Sequence, residues 1–459
     1  MSERAPLLAS DSEEHDARNH PTPFNITVRS VVWGILTVLT TATLVVMLFF
    51  RDRLPDGVKL LPWVGGDPRD PTVAALAILD KSPIIDGHID LPVIARYQFA
   101  NNVSSIDLNS NMPGHVDIPR LRKGKVGGFF WSVYVSCPDP KDEGKEFLGA
   151  AWQVRYKFCF YVEKENLLLL ARDTLEQIDV AKLLIEKYPD TFQFARSSAD
   201  IKAAVSNGKI AGLLGVEGAH QLGNSIAAVR QYYALGVRYI TLTHLCHNAF
   251  ADSCGLAPGK TPLHNGLSSF GLSLIEEMNR VGILVDLSHT SDSTAAQAIK
   301  HSKAPVIWSH SSARAIHAVP RNVPDEILSL IGTGSGQRDA VVMVNFAPYF
   351  VAPEGGANVA AVANHIEHIS AVTGRQHVGI GSDYDGIEET PTGLEDVSKY
   401  PTLIAELYSR GWTQFELAGL AGGNFLRVFE GAERVSKELR AAGVQPVYDL
   451  YAKRTDIPH

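Results

Sequence analysis

The sequence predicts a (β/α)8 barrel that follows a single N-terminal transmembrane helix. Three observations support this: an uncharged segment near the N-terminus, eight short apolar runs separated by helical patterns, and polar side chains where those runs end. With 459 residues, 45% of them hydrophobic, the chain can bury a large core. We expect a disordered tail (1–29), a transmembrane helix (30–50), a stem (51–75) and a barrel domain (76–459).

The segment from Ser30 to Phe50 carries no charge and lies between Arg29 and Arg51. Its length is what a helix needs to cross ~30 Å of hydrocarbon. A buried core helix is the alternative, whereas a cleaved signal peptide is shorter and is followed by a small-residue cleavage site rather than RDRLPDG. We therefore expect a single-pass membrane protein.

The orientation of this span is expected to place the N-terminus in the cytosol and the barrel in a lumen or outside the cell. Flanking basic residues weakly favour the reverse, but large domains translocate largely regardless of nearby charge, and cysteines able to pair belong in an oxidising compartment. Residues 3–8 (ERAPLL) resemble an acidic dileucine sorting signal, and Asn102-Val-Ser is a candidate glycosylation site. A vacuole, an endosome and the cell surface all remain open as destinations.

The rest of the chain alternates apolar, β-branched runs with helical patterns such as 174–188, 271–281 and 358–374. Runs that are apolar throughout are typical of a parallel sheet covered on both faces, and eight strands close a barrel. A doubly wound open sheet is the alternative, but no Gly-x-Gly-x-x-Gly follows the first run. The predicted strands are 84–88, 127–135, 210–216, 237–244, 282–289, 304–310, 340–346 and 377–382.

Ionisable side chains gather where these strands end, which is where a barrel carries its functional residues. His88-Ile-Asp90 ends the first run, and its two ionisable side chains are expected on one face because the side-chain period of a strand is two. Histidines and carboxylates without a thiol suit zinc or a similar divalent ion, and two ions sharing a carboxylate would use five ligands. The residues at the strand ends are His88, Asp90, Glu217, His244, His289, His310 and Asp383.

Composition excludes some classes of function. A formal net charge of −8 without a long basic run gives no electrostatic footprint for nucleic acid. The cysteines Cys137, Cys159, Cys246 and Cys254 form no Cys-x-x-Cys pair, so neither a zinc ribbon nor a thioredoxin-like site is available. One or two disulfides remain compatible with the sequence.

Motifs in the same order along the chain resemble those of the renal, or membrane, dipeptidases within the amidohydrolase-like metallopeptidases. The resemblance covers nearly all of residues 76–435. It implies a binuclear zinc dipeptidase, with two zinc ions per subunit, that forms a homodimer and cleaves dipeptides through a metal-bridged hydroxide. The motifs are DGHIDLP, LLGVEG, RYITLTHLCHN, ILVDLSH, APVIWSHSSAR, PRNVPD, VVMVNF and VGIGSDYDG.

The resemblance implies a role for each metal ligand. His88 and Asp90 would hold one zinc ion, and His289 and His310 would hold the other. Glu217 would bridge the two ions, which makes it part of the catalytic centre as well. These residue types fit the nitrogen and oxygen ligands that catalytic zinc takes.

The resemblance also implies three roles in binding and chemistry. His244 would stabilise the oxyanion, and Asp383 would move the proton, with Asp385 as the alternative proton acceptor. Arg321 would bind the free carboxylate of the substrate, which suits a planar guanidinium, although a surface salt bridge is the alternative on its local sequence alone.

The resemblance further implies a Cys137–Cys246 disulfide and leaves the pairing of Cys159 and Cys254 open. The C-terminus carries no apolar tail for a lipid anchor, so the N-terminal helix would anchor the domain. Whether Tyr349 or Phe350 contacts substrate stays open, as does the preferred dipeptide. Alternative functions are another amidohydrolase, such as a deaminase or lactamase, a catalytically silent membrane receptor, and a structural protein.

Overall fold

The computed structural model describes residues 28–49, 69–137 and 170–453 of the chain. The chain separates into two units, Met1–Pro68 and Arg69–His459. Most of the predicted tail and stem, together with Cys159, lies outside the described residues.

The first unit contains one described helix, α1 (Val28–Phe49), whose side chains are described from Val31 to Thr43 and are exposed. Among the residues that the structure describes, no helix combines the length and apolar character needed to cross a membrane. The transmembrane span predicted at 30–50 is therefore not confirmed.

The second unit holds nine described strands and a series of helices. The strands are β1 (Ile84–Ile89), β2 (Val126–Val133), β3 (Phe192–Phe194), β4 (Ile210–Val216), β5 (Val237–Thr241), β6 (Leu284–Asp286), β7 (Val306–Trp308), β8 (Ala340–Val344) and β9 (Val378–Ile380). The helices are α2 (Pro71–Leu79), α3 (Leu91–Phe99), α4 (Ile118–Lys123), α5 (Leu170–Lys187), α6 (Ser198–Ser206), α7 (Ile226–Leu235), α8 (Ser269–Val281), α9 (Asp292–His301), α10 (Asp325–Leu328), α11 (Pro348–Val351), α12 (Val359–Thr373), α13 (Tyr400–Ser409), α14 (Gln414–Ala418) and α15 (Asn424–Ala441).

Eight of these strands form a closed parallel barrel. Its order is β1-β2-β4-β5-β6-β7-β8-β9, and β9 pairs with β1 through Asp86 and Ile380. The predicted (β/α)8 barrel is thus confirmed, and each predicted strand overlaps an observed one. The sequence did not predict β3, a short strand that pairs with the first residues of β4.

The strands are apolar throughout because they pack on both faces. Side chains such as Ile85, Phe130 and Leu284 form a cluster inside the barrel, which Phe425 and Phe429 of α15 join at the end where the strands begin. A larger cluster packs beneath the surrounding helices. One end of the barrel is therefore filled by apolar side chains, and the polar strand ends lie at the other.

Candidate metal centre and active site

The predicted site residues converge at the carboxyl ends of the barrel strands. Glu217 directly follows β4, and His310 lies two residues after the end of β7. Asp90 has already left β1, with φ −92° and ψ 32°, and precedes the proline-containing first turn of α3. It is therefore this bend, rather than a shared strand face, that places the Asp90 carboxylate 3.1 Å from Nε2 of His88.

Glu217 lies at the centre of the cluster. Its Oε1 is 3.6 Å from Nε2 of His88, 3.0 Å from Nε2 of His289 and 3.2 Å from Nε2 of His310. The potential ligand atoms include one set from His88, Asp90 and Glu217, and another from Glu217, His289 and His310. The structure thus brings together the five residues predicted as ligands, in two sets that share one carboxylate.

The buried nitrogens of this cluster fit a bound cation. Nε2 of His88 is buried and makes no well-aligned hydrogen bond, although Oδ2 of Asp90 is 3.1 Å away, and Nε2 of His289 lies 3.0 Å from Nε2 of His310. Burial, with the nearby cationic groups, holds the pKa values of His289 and His310 well below the usual range. Two neutral imidazoles that face each other across a carboxylate form a donor set typical of zinc and similar ions.

The electrostatics of the cluster also favour a bound cation. Burial lowers the pKa of His88, but the charges of Asp90 and Glu217 outweigh it and raise this pKa to about 10. Burial also raises the pKa of Glu217, and the final value is about 8. The charge of His88 lowers this pKa only in part, and the charges of Asp90 and Asp383 raise it further. Carboxylates packed this closely need a compensating positive charge, and a divalent ion supplies one.

Asp383 lies at the edge of the ligand cluster, with Oδ1 3.9 Å from Nε2 of His88. Its backbone is left-handed, with φ +68°, and its Oδ2 accepts a 2.9 Å hydrogen bond from Nδ2 of Asn345. Burial raises the pKa of Asp383 to about 6, and the Asp90 charge acts in the same direction. Sequence reasoning missed Asn345, whose signal was a polar residue within the seventh predicted strand, 340–346; in the structure it directly follows β8.

Asp385, the alternative proton acceptor, is engaged elsewhere. Its Oδ1 accepts a 2.6 Å hydrogen bond from the backbone N–H of His115, and its own N–H donates to Nδ1 of His115 at 3.0 Å. Its carboxylate therefore anchors the segment around His115, whereas Asp383 faces the ligand cluster.

His244 borders the cluster on the opposite side. Its Nε2 is 3.8 Å from Oε1 of Glu217, and its ring packs against the rings of His289 and Tyr134, at centroid distances of 4.3 and 4.8 Å. Burial lowers its pKa well below the usual range, so this imidazole is neutral and can donate one N–H.

A disulfide joins Cys137 to Cys246, which confirms the predicted bridge. It ties the segment after β2 to the loop that carries His244. Cys254 is a free cysteine in the described part of the chain.

Arg321 is buried rather than exposed, with 3% of its surface accessible, so it is not a surface salt bridge. It donates to Oγ of Ser311 and to the carbonyl of His310, both at 2.7 Å, while its buried Nε has no partner. The Phe350 ring lies 5.5 Å from the guanidinium, whereas Tyr349 is 53% exposed. Arg321 is therefore fixed in place and retains an unused donor.

Comparison with known proteins places this barrel among metallopeptidases. Residues 73–443 match the model of the membrane dipeptidase family, Peptidase family M19. A dipeptidase, verJ from Clonostachys rogersoniana, is 40% identical over 382 residues, which are 83% of this chain and 92% of that relative.

Two solved structures have the same fold. A metallo peptidase from Rhodobacter sphaeroides, liganded with a phosphinate mimic of the dipeptide L-Ala-D-Ala, is 25% identical with a TM-score of 0.64, over 76% of this chain and 99% of that one. The probable dipeptidase PvdM from Pseudomonas aeruginosa is 21% identical with a TM-score of 0.67, over 80% of this chain and 100% of its own.

Proposed function

This chain belongs to the membrane dipeptidase family and is a dipeptidase, and on that premise we propose that its buried cluster binds two zinc ions and that it cleaves dipeptides carrying a free C-terminal carboxylate. The observation that carries the proposal is the pair of ligand sets that share Glu217. His88 and Asp90 would complete one set, and His289 and His310 the other.

The protein side chains would carry out proton transfer and stabilisation of the oxyanion. When bound, the two ions would supply a water of lowered pKa and polarisation of the scissile carbonyl. Asp383 accepts the proton of the attacking water and returns it to the leaving amine, which is general acid-base catalysis. Asn345 holds this carboxylate by its 2.9 Å hydrogen bond, and His244 donates its N–H to the developing oxyanion.

Arg321 supports the choice of substrate. Its guanidinium is buried beside the ligand cluster, and its Nε–H has no partner within the protein. A buried donor without a partner is costly, and a carboxylate satisfies it with a charge-assisted hydrogen bond. Arg321 also donates to the backbone carbonyl of His310, a residue of the ligand cluster, so a carboxylate bound to Arg321 would lie beside that cluster.

A substrate panel tests this proposal directly. The full-length chain would be assayed on dipeptides, tripeptides and C-terminally amidated dipeptides, before and after chelation and after zinc is restored. We expect zinc-dependent cleavage of dipeptides and little cleavage of the other two classes. Zinc binding without dipeptide cleavage would contradict the substrate assignment, and activity confined to lactams or amino-substituted rings would favour another amidohydrolase.

We also propose that the uncharged segment 30–50 anchors the barrel domain to a membrane with the N-terminus in the cytosol, and that the chain forms a homodimer. The support for the anchor is its sequence. Asn102 is exposed, so a glycan on it would report a lumenal barrel domain. Protease protection and glycosidase sensitivity, with Asn102→Gln as the control, test the orientation, and light scattering of the purified chain tests the dimer.

A further inference from the structure

The ring nitrogens of His88 and His310 that point away from the cluster both lie at hydrogen-bond distance from buried hydroxyls. Nδ1 of His88 is 2.8 Å from the hydroxyl of Tyr239, and Nδ1 of His310 is 2.8 Å from Oγ of Ser309. Ser309 in turn donates to Oδ2 of Asp286 at 2.7 Å. All five side chains are buried.

Asp286 sets the direction of the hydrogen bonds that lead through Ser309 to His310. Its Oδ1 accepts the backbone N–H groups of Ser288 and Ser309, at 3.1 and 2.8 Å, and these donors cannot reverse. Its Oδ2 accepts the hydroxyls of Thr241 and Ser309, at 2.6 and 2.7 Å. Since an ionised carboxylate only accepts hydrogen bonds, the Ser309 hydroxyl must give its single proton to Asp286.

The consequence reaches the imidazole of His310. With its proton committed to Asp286, Ser309 Oγ can only accept, so His310 must carry its proton on Nδ1. His310 therefore presents a bare Nε2 to the ligand cluster, which is the form that binds a metal ion.

We propose that Asp286 is a positioning residue that fixes the tautomer of His310. This proposal rests on the proposed metal site. It assigns to a buried carboxylate outside both ligand sets the orientation of one proposed zinc ligand.

Asp286→Asn is the informative substitution because its outcome follows from the fixed donors. The two backbone N–H groups retain the amide oxygen at the position of Oδ1, so the amide nitrogen would lie at Oδ2 and donate to Ser309. The Ser309 proton would then turn away from residue 286, and bonding to Nδ1 of His310 would place the imidazole proton on Nε2. That proton would block the nitrogen that faces Glu217.

The experiment measures zinc affinity and the His310 tautomer in the full-length chain. Metal-free protein would be titrated with zinc alone against a chelating dye, and 15N-histidine spectra of the metal-free protein would report which nitrogen of His310 is protonated. Asp286→Asn should weaken the zinc site that contains His310 by about ten- to a hundredfold and move the His310 proton to Nε2. Tyr239→Phe should weaken only the site that contains His88.

Two controls separate positioning from folding. Thr241→Val removes a donor to the same Asp286 oxygen but has no link to an imidazole, and it should leave zinc affinity and the tautomer unchanged. Asp86→Asn makes the same change in another buried carboxylate, which accepts the backbone N–H of His88 rather than its ring, and it should leave the His310 tautomer unchanged. Should Asp286→Asn fail to fold, Ser309→Ala carries the test.

Wild-type zinc affinity and an unchanged His310 tautomer in Asp286→Asn would overturn the proposal, as would an equal loss in Thr241→Val and Ser309→Ala. These results are distinct from failure of the proposed function. A wild-type chain that binds two zinc ions without cleaving dipeptides would contradict the function alone, and the titrations would still decide the role of Asp286.

Discussion

Removal of the Arg321 guanidinium should reduce activity only toward substrates that carry a free carboxylate. In Arg321→Met, the substrate carboxylate loses a charge-assisted contact with a guanidinium already oriented by Ser311 and the His310 carbonyl. Such a contact contributes about 2–3 kcal/mol, which corresponds to a loss of about 30- to 150-fold in kcat/KM. The amidated dipeptide has no carboxylate to lose, so its slow cleavage should change much less.

The assay is a double-mutant cycle between protein and substrate, in which kcat/KM is measured for the wild-type and variant chains on the free and amidated dipeptide. Arg314→Met is the control for a structural effect, because Arg314 pairs with the exposed Asp292 at 2.6 Å and donates to the carbonyls of Pro320 and Asn322 on either side of Arg321. Any loss in Arg314→Met should be equal for the free and the amidated dipeptide. An equal loss on both substrates in Arg321→Met would refute a carboxylate contact and leave Arg321 a purely structural role.

Three further predictions concern the proton, the metal and acid stability. Asp383→Asn should lower kcat about a thousandfold with zinc still bound, whereas Asp385→Asn should cost less than tenfold; the reverse order would exchange their roles. Chelation should lower Tm and zinc should restore the original Tm, because a ligand that binds only the folded chain stabilises the folded state. An unchanged Tm would argue against a metal site in the folded protein. Burial raises the pKa of Glu277, but hydrogen bonds, first from Arg280, outweigh it and lower the pKa. The stability gained is present above pH 4.5 and lost as pH falls through the lowered pKa, so Glu277→Gln should cost about 3 kcal/mol at neutral pH and flatten the acid limb of a denaturation profile.

Local patterns were enough to predict the barrel and the location of its site. Apolar runs such as 210–216 identify buried strands: both faces of such a strand are covered, so consecutive residues along it are apolar. A parallel barrel then carries all strand ends to one face, so His88, Glu217 and His310 could be expected together without knowledge of any distance. The sequence was therefore enough to predict which residues lie together at this end of the barrel.

How those residues meet was decided by contacts between segments far apart in the chain. Asp383 and Asp385 have the same residue type and the same φ of +68°, yet His115, 270 positions from Asp385, engages one and leaves the other facing the cluster. The burial of Arg321 and the link from His310 through Ser309 to Asp286 likewise depend on neighbouring strands and loops. Side-chain direction, hydrogen-bond partner and burial are properties of packing, so only the tertiary structure decides which carboxylate faces the ligand cluster and which one lies behind it.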